Sequence, residues 1–519
     1  MKPAQSASCL RYQGGFVLVG VLVIVMLSSM VALSLMFHLR AEETAVAASA
    51  GGDQALAAAM SGVREAMRSV TDIPAGQLDW ADSPGLFRDR LVFDDGSDRW
   101  YYSVFSAVDT EGEESVRFGL TSEAAKVNLN TATEEMLVKL PKVTPYLAEG
   151  LLDFIDTDAF PRPEGAEQEY YDALSTPFEI PNGPLSSLDQ LLLVRGFTPA
   201  VLYGEDANLN FRLEANENDG DEQFPPDNRD GKLNLGLRPF LTISSYDINR
   251  DNDGVIRVNI NDPAEEVASA GLPPAAVAYI AALRRNKLTV ASPADLLEAK
   301  GSFKDESGKA VEMESGVGKA ELAAILDRFT TTIDYHLPGK IDVNTAPTAV
   351  LLTVPGIDEA IADAITLARR NLRPEQRRTP AWLFEEGIVP ADEFKKIAPY
   401  LTARSLQFHF HVIGYGIPSG RFRVLEAVID VADATPAIIY LRDITRLGLP
   451  FEINLPDADD WDLVRTGPEE RGIHAASARR AGIDLLIPGN VPSEQPALKR
   501  HECRAPMRVI RKTMEEKHG

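Results

Sequence analysis

Phe16 to Phe37 is an unbroken run of 22 uncharged residues, and no other segment constrains the chain as much. At roughly 1.5 Å of rise per residue, a helix over this run reaches about 33 Å, enough to cross a bilayer core. It can therefore span a membrane. Lys2 and Arg11 lie upstream, Gly14-Gly15 stands just before the run, and His38, Arg40, Glu42 and Glu43 follow it. A secretory signal has a shorter apolar core with small residues after it. Here the small residues come first, so a cut after Gly15 would remove a basic leader and spare the anchor. The alternative from this segment alone is a plain uncleaved anchor.

The remaining length suits two or three domains, because single cores rarely grow beyond about 250–300 residues. The formal charge is −25, and the loss of Lys2 and Arg11 would make it two charges more negative. Such a chain repels polyanions, so nucleic acid is an unfavoured partner. The cysteines are Cys9 and Cys503. Removal of Cys9 with the leader leaves no intramolecular disulfide. Metal is then the expected staple for an extracytoplasmic domain.

Composition divides the chain into a leader over 1–15, a transmembrane and stalk helix over 16–72, and a strand-rich block over 73–122. A helical insertion covers 123–403, a second strand-rich block 404–455, and a mildly basic tail 456–519. Gly51-Gly52 is expected to weaken the middle of the stalk. In the first strand-rich block, Trp100-Tyr-Tyr-Ser-Val-Phe and Ser115-Val-Arg-Phe-Gly-Leu-Thr alternate around Asp109–Glu114 as a hairpin does. The second carries candidate strands over Leu406–Gly414, Phe422–Ala432 and Ala437–Leu441. The expected fold class is α+β, with one α+β domain interrupted by a large all-α insertion.

The insertion repeats internally. Lys126-Val-Asn-Leu-Asn-Thr-Ala, Arg257-Val-Asn-Ile-Asn-Asp-Pro and Lys340-Ile-Asp-Val-Asn-Thr-Ala align without gaps, each ahead of two amphipathic helical stretches. Asn130, Asn261 and Asn344 are expected as helix N-caps. In the third copy, Pro355-Gly356 separates two helices, which is a helix-hairpin-helix pattern. The first copy has Lys142 in place of the glycine, and the second, around Pro273-Pro274, is looser. Such hairpins bind DNA when their amides and nearby basic residues meet a phosphate. Here Gly356 is followed by Ile357-Asp358-Glu359 on an acidic chain, so the repeats are expected to be compact helical layers.

The strongest chemical signal is Asp206-Ala-Asn-Leu-Asn-Phe-Arg-Leu-Glu-Ala-Asn-Glu217. Asp206, Asn208 and Asn210 fall at positions 1, 3 and 5 of a calcium loop. Arg212 can offer its carbonyl at 7, Glu214 sits at 9, and Glu217 supplies the bidentate carboxylate at 12. Phe211 is the misfit, because position 6 normally takes glycine and a bulky residue resists positive φ. A partial loop offers Asn249, Asp251 and Asp253 with Gly254, but has Ile260 where the acidic ligand belongs. Asn228-Arg-Asp230-Gly231 is weaker still. Thirteen Asp/Glu against six Lys/Arg across Glu205–Asp262 would self-repel unless cations bind or the segment stays mobile. The alternative is an acidic surface loop.

Catalytic patterns are lacking, with no Gly-rich phosphate loop, nucleophile elbow or zinc-protease helix. His409 and His411 fall on one face of a strand, but no Cys, Glu or third His is near in sequence. They are expected to form a polar face opposite Phe408 and Phe410. No enzyme is expected.

The order of leader, Gly15 and apolar run resembles the class III leader of prepilins and pseudopilins, which implies cleavage before Phe16 and methylation of its amine. Gly20 stands where major pilins carry Glu, a departure shared by the minor pseudopilin K of type II secretion systems. The chain is similar to that family, general secretion pathway protein K, through Lys126-Val-Asn-Leu-Asn-Thr-Ala, Asp153-Phe-Ile-Asp-Thr-Asp, Pro161-Arg-Pro-Glu-Gly-Ala-Glu, Tyr170-Tyr171 and Pro181–Pro199. The resemblance implies a pilin-like α+β domain and a subunit that nucleates or caps the pseudopilus tip. It implies a single-pass inner-membrane protein with its bulk in the periplasm. Other minor pseudopilins and the prepilin peptidase are the implied partners, with secreted substrates and the secretin as further contacts. It also implies calcium in the helical domain, with Asp156, Asp158, Glu164 and Glu167 as candidates. The rivals are a membrane-tethered DNA receptor of competence systems and a minor pilin of a type IV pilus.

Overall fold

The computed structural model describes residues 14–107, 116–220, 222–304, 309–451 and 453. Lys2, Cys9, Arg11, the expected turn at Asp109–Glu114 and the 456–519 tail lie outside these residues. Helix α1, Gly14–Asp72, is continuous over 59 residues, and the Gly15/Phe16 junction falls at its start. Its first half is apolar and bare, with every large hydrophobic side chain from Leu18 to Leu39 exposed. Its second half is buried along one stripe formed by Ala55, Ala59, Gly62 and Ala66, at helical spacing.

That stripe lies on an antiparallel sheet in the order β1 (Arg90–Asp94), β2 (Arg99–Ala107), β3 (Gln407–Ile417), β4 (Phe422–Asp430), β5 (Ala437–Asp443). Two-residue strands at Val116–Arg117 and Thr121–Ser122 add to β2 and β3. Residues on either side of the insertion thus meet in one sheet, with His411 opposite Phe105 and Tyr415 opposite Tyr101. The main hairpin of the first block is β1–β2, and Val116–Arg117 is only a short return.

The small residues have a packing reason. A Cβ on Gly62 would stand 2.6 Å from Val412 Cγ1, and one on Gly414 would stand 2.2 Å from the Ala55 carbonyl oxygen. Gly51-Gly52 does not interrupt the helix. Gly51 instead receives the Arg421 side chain where α1 reaches the end of the sheet, so tertiary contact overrides a weak intrinsic propensity.

The insertion is not all helix. Each repeat opens with a two-residue strand and closes with another paired parallel to it: Val127–Asn128 with Leu241–Thr242, Val258–Asn259 with Phe329–Thr330, and Ile341–Asp342 with Leu401–Thr402. An antiparallel hairpin, Lys300–Lys304 with Ala310–Glu314, projects from the second repeat. The first and third repeats share one apolar core, through residues such as Leu151, Leu191, Leu351 and Trp382. The second adds Ala294, Leu297 and Leu322 to that core and has a further one around Ile260, Ile280 and Phe329.

Contrary to expectation, the repeated asparagines do not cap helices. The first helix of copy one is capped by Thr133, and Pro263 and Pro347 hold the equivalent places. Asn130 instead binds the carbonyls of Leu185 and Ile243 at 3.1 and 3.2 Å, and accepts the Leu185 amide at 2.7 Å. Asn261 binds both backbone groups of Val290, and Asn344 binds the carbonyls of Arg377 and Ala403. Each therefore clips distant loop backbone to the start of its repeat. The hairpin residues also correspond, because Lys142, Gly271 and Gly356 all take positive φ, at 60°, 94° and 96°. Gly271, two residues before the expected Pro273-Pro274, marks the second hairpin.

Candidate metal centres in the helical insertion

The 11-residue helix Pro145–Ile155 ends at Asp156, and the loop after it turns back so that Glu167 faces the helix end. Ligand atoms of Asp153, Asp156 and Glu167 lie within 4.8 Å of one another. Asp153 is fully buried, and a Cβ on Gly165 would overlap its Oδ2, so glycine is needed for the chain to pass. Arg162 pairs with Asp153 and, at 2.7 Å, with Asp156. This one cation thus pairs with two of the three carboxylates. Both Glu167 oxygens and Asp156 Oδ1 are buried without a hydrogen-bond partner among the described residues. Burial, and then the charges of Asp153, Asp156 and Asp158, push the Glu167 carboxyl upward. Two negative charges remain to be met, which a divalent ion with oxygen ligands would do. Asp158 and Glu164 are exposed and outside this trio; Asp158 Oδ1 accepts the Phe160 amide, and the Glu164 amide binds Glu149.

The second group is the Asp206–Glu217 loop. Asp206 and Glu217 are both 1% exposed. Asp206 accepts the amides of Asn210 and Phe211 at 3.0 and 3.1 Å, which curls the loop around its carboxylate. Asn208 and Asn210 both turn their amide groups to Glu214, each at 3.0 Å. Glu217 reaches back to the amides of Ala207 and Glu214. Arg212 donates its amide to Asn210 and keeps its side chain exposed. Burial raises the carboxyls of both Asp206 and Glu217, and Asp206 adds to the rise at Glu217. Phe211 takes φ of 61°, the conformation for which position 6 ordinarily uses glycine. Its ring is buried against Phe105 and His411 on the sheet, which offsets the backbone cost.

Asn249, Asp251 and Asp253 are not brought together. Asn249 donates to the Thr332 carbonyl, Asp253 meets Arg378 at 3.4 Å, and Asp251 accepts the amides of Asp253 and Val255 within its own turn. In the weaker loop, Asn228 donates to Asp230 within an exposed turn.

Residues 121–203, which hold the first part of the first repeat and the whole Asp153 trio, match the family described as type II secretion system (T2SS), protein K. The chain resembles protein K, a minor pseudopilin. A chain in the GspK-GspI-GspJ complex from the type 2 secretion system of enterotoxigenic Escherichia coli is similar to it at 12% identity and a TM-score of 0.34, covering 78% of this chain and 99% of that one. No curated protein matches.

Within the protein K segment, sequence reasoning named Asp156 and Glu167 but missed Asp153. The signal was its i, i+3 spacing to Asp156, which puts both carboxylates on one side of the helix end. Outside that segment, the third hairpin does not offer a free helix N-terminus. Asp358 caps the helix Glu359–Ala368 by accepting the Ile361 amide at 2.9 Å. An acid already stands where a phosphate would bind.

Proposed function

We propose that this chain is a minor pseudopilin of a type II secretion system that nucleates or caps the periplasmic pseudopilus tip. The observation that carries the reading is the two-part α1, whose bare apolar half continues directly into the half buried in the sheet. A subunit of this form leaves a bilayer only when other apolar helices cover it, so the fitting partners are other minor pseudopilins. The protein K match supports the same reading. The insertion between β2 and β3 supplies bulk that would hinder a further subunit above. Prepilin peptidase would act at Gly15 and Phe16, and the insertion offers a surface to secreted substrates and the secretin. The orientation this requires is a single pass through the inner membrane with the bulk in the periplasm.

The test is co-expression of the full chain with the small pseudopilins of its own system, followed by purification in detergent. Co-purification is expected. Association with none of them, together with micromolar DNA binding that weakens steeply with salt, would favour the competence receptor. A gene neighbourhood of type IV pilus subunits, without secretin and secretion ATPase, would favour the minor pilin.

We further propose that calcium stabilises the insertion, held by Asp153, Asp156 and Glu167 and by the Asp206–Glu217 loop. The buried, unpartnered oxygens of Asp156 and Glu167 support the first site. The inward turn of Asp206, Asn208, Asn210, Glu214 and Glu217 supports the second. Extracellular calcium modules bind at about 10⁻⁴–10⁻³ M, and ion at 100 times the dissociation constant adds roughly 2.7 kcal/mol. Thermal unfolding with calcium and with chelator, for wild type, Glu167→Gln and Glu217→Ala, separates the sites. A midpoint indifferent to calcium in wild type would end the proposal.

A further inference from the structure

On the face of the sheet away from α1, His409 and His411 stand two residues apart on β3, and Glu426 of β4 lies directly opposite His411 in the antiparallel register. One ligand atom from each lies within 4.8 Å of the other two. We propose that His409, His411 and Glu426 bind a divalent transition metal, with zinc as the representative ion and a water as fourth ligand. This does not depend on the pseudopilin reading or on calcium.

Two observations besides proximity point to a ligand. His411 is 2% exposed, its ring held by stacking on Phe105 at 5.3 Å and by the edge contact with Phe211 at 4.9 Å, yet its Nδ1 is buried without a partner among the described residues. The three residues also line a cavity of about 260 Å³ between the sheet and the insertion, which leaves room for the water. Two imidazoles and one carboxylate form a mixed nitrogen and oxygen set that suits zinc, nickel or copper and does not suit calcium.

Neighbouring charges permit a cation. Lys126 is paired with Glu123 at 2.5 Å, and Arg238 with Glu426 at 2.5 Å. Asp189 and Arg442, which pair at 3.3 Å, also line the cavity, so each of its cations is matched by a carboxylate and Asp206 adds one more. Both Arg238 and His409 contact Glu426 through Oε1, the latter at 3.1 Å. Metal bonds of about 2.0–2.2 Å would draw the ligands closer and replace the His409 contact, while Arg238 would remain as an outer support.

The experiment uses the full chain in detergent, stripped with chelator, resupplied with calcium, and titrated with zinc or cobalt. One zinc per chain is expected by elemental analysis after dialysis, and cobalt should give the strong visible absorption of a four-coordinate centre. His409→Gln and Glu426→Gln should each weaken zinc binding by at least the roughly 10–100-fold that loss of a mere supporting contact produces. His411→Gln tests the most buried ligand, and if it fails to fold the other two variants still decide. No stoichiometric zinc, or stoichiometry and cobalt spectrum unchanged in His409→Gln and Glu426→Gln, would overturn the assignment.

Discussion

Gly414 is the point where the central strand and α1 come closest, and a methyl group there would run into the backbone of the helix at Ala55 and Ala59. Gly414→Ala should therefore destabilise the protein by about 1–3 kcal/mol, the usual range for overpacking. Gly85→Ala, with nothing within 4 Å of the added atom, is the matched control and should leave the protein at least as stable as wild type. A second prediction concerns Glu167, Asp206 and Glu217, whose carboxyls burial pushes above the ordinary range. Between the ordinary value of about 4 and the raised one, the folded state holds more protons than the unfolded, so stability falls as pH rises through that window. In chelator, wild type should gain stability relative to Glu167→Gln as pH drops from neutral toward about 5. Calcium should cancel the gain, because the ion competes with the proton; equal pH profiles for the two proteins would count against the assignment. The ligand spacing of the 206–217 loop was legible in sequence because it is local. Phe211 counted against the loop only because the ring contact that offsets its positive φ comes from strands some hundred residues before and two hundred after. Glu426 was missed for the same reason, since it reaches His411 only through the pairing of β3 with β4.

Among the elements, the three repeats were legible and their caps were not. Gapless self-similarity exposes a repeated unit, but an asparagine ahead of a helix can satisfy a first-turn amide or reach out to other backbone, and sequence does not choose between them. The structure makes the choice testable. Asn130→Ala and Asn344→Ala each strand partly buried backbone groups and should cost about 1–3 kcal/mol, whereas a solvent-facing cap would cost less than Thr133→Ala at the actual cap. Urea unfolding of the three variants gives the order. The short parallel strands that close each repeat were invisible beforehand, because two residues are too few for periodicity to register. Their position explains why the insertion is α+β in detail although most of its residues read as helix and loop. At the first hairpin, Lys142 holds a φ of 60° that its sister positions give to glycine. Lys142→Gly should relieve that strain and raise stability by about 0.5–1 kcal/mol, as measured by the same unfolding.

The whole molecule combines two surfaces along one helix, and the Gly15/Phe16 junction lies at its start. Apolar residues from Leu18 to Leu39 have no cover among the described residues, while Ala55 to Ala66 are the floor on which the sheet is built. The sequence displayed the first property openly, as an apolar run. It concealed the second, since a stripe of alanine and glycine looks like a weak stalk until Gly414 and Val412 are placed against it. On the proposed reading the subunit first inserts in and later leaves the membrane, and processing between Gly15 and Phe16 would separate the two stages by removing the positive charges of Lys2 and Arg11. The mature protein isolated from membranes should therefore begin at Phe16, with a methylated amine, as read by mass spectrometry of its N-terminal peptide. Gly15→Leu should leave the precursor uncut, retain Cys9, and lower both secretion and co-purification with the small pseudopilins. Recovery of the Cys9 peptide from functional, assembled wild-type protein would mean that the leader stays. The chain would then be a permanently anchored receptor, a state in which the bare half of α1 never exchanges lipid for neighbouring helices.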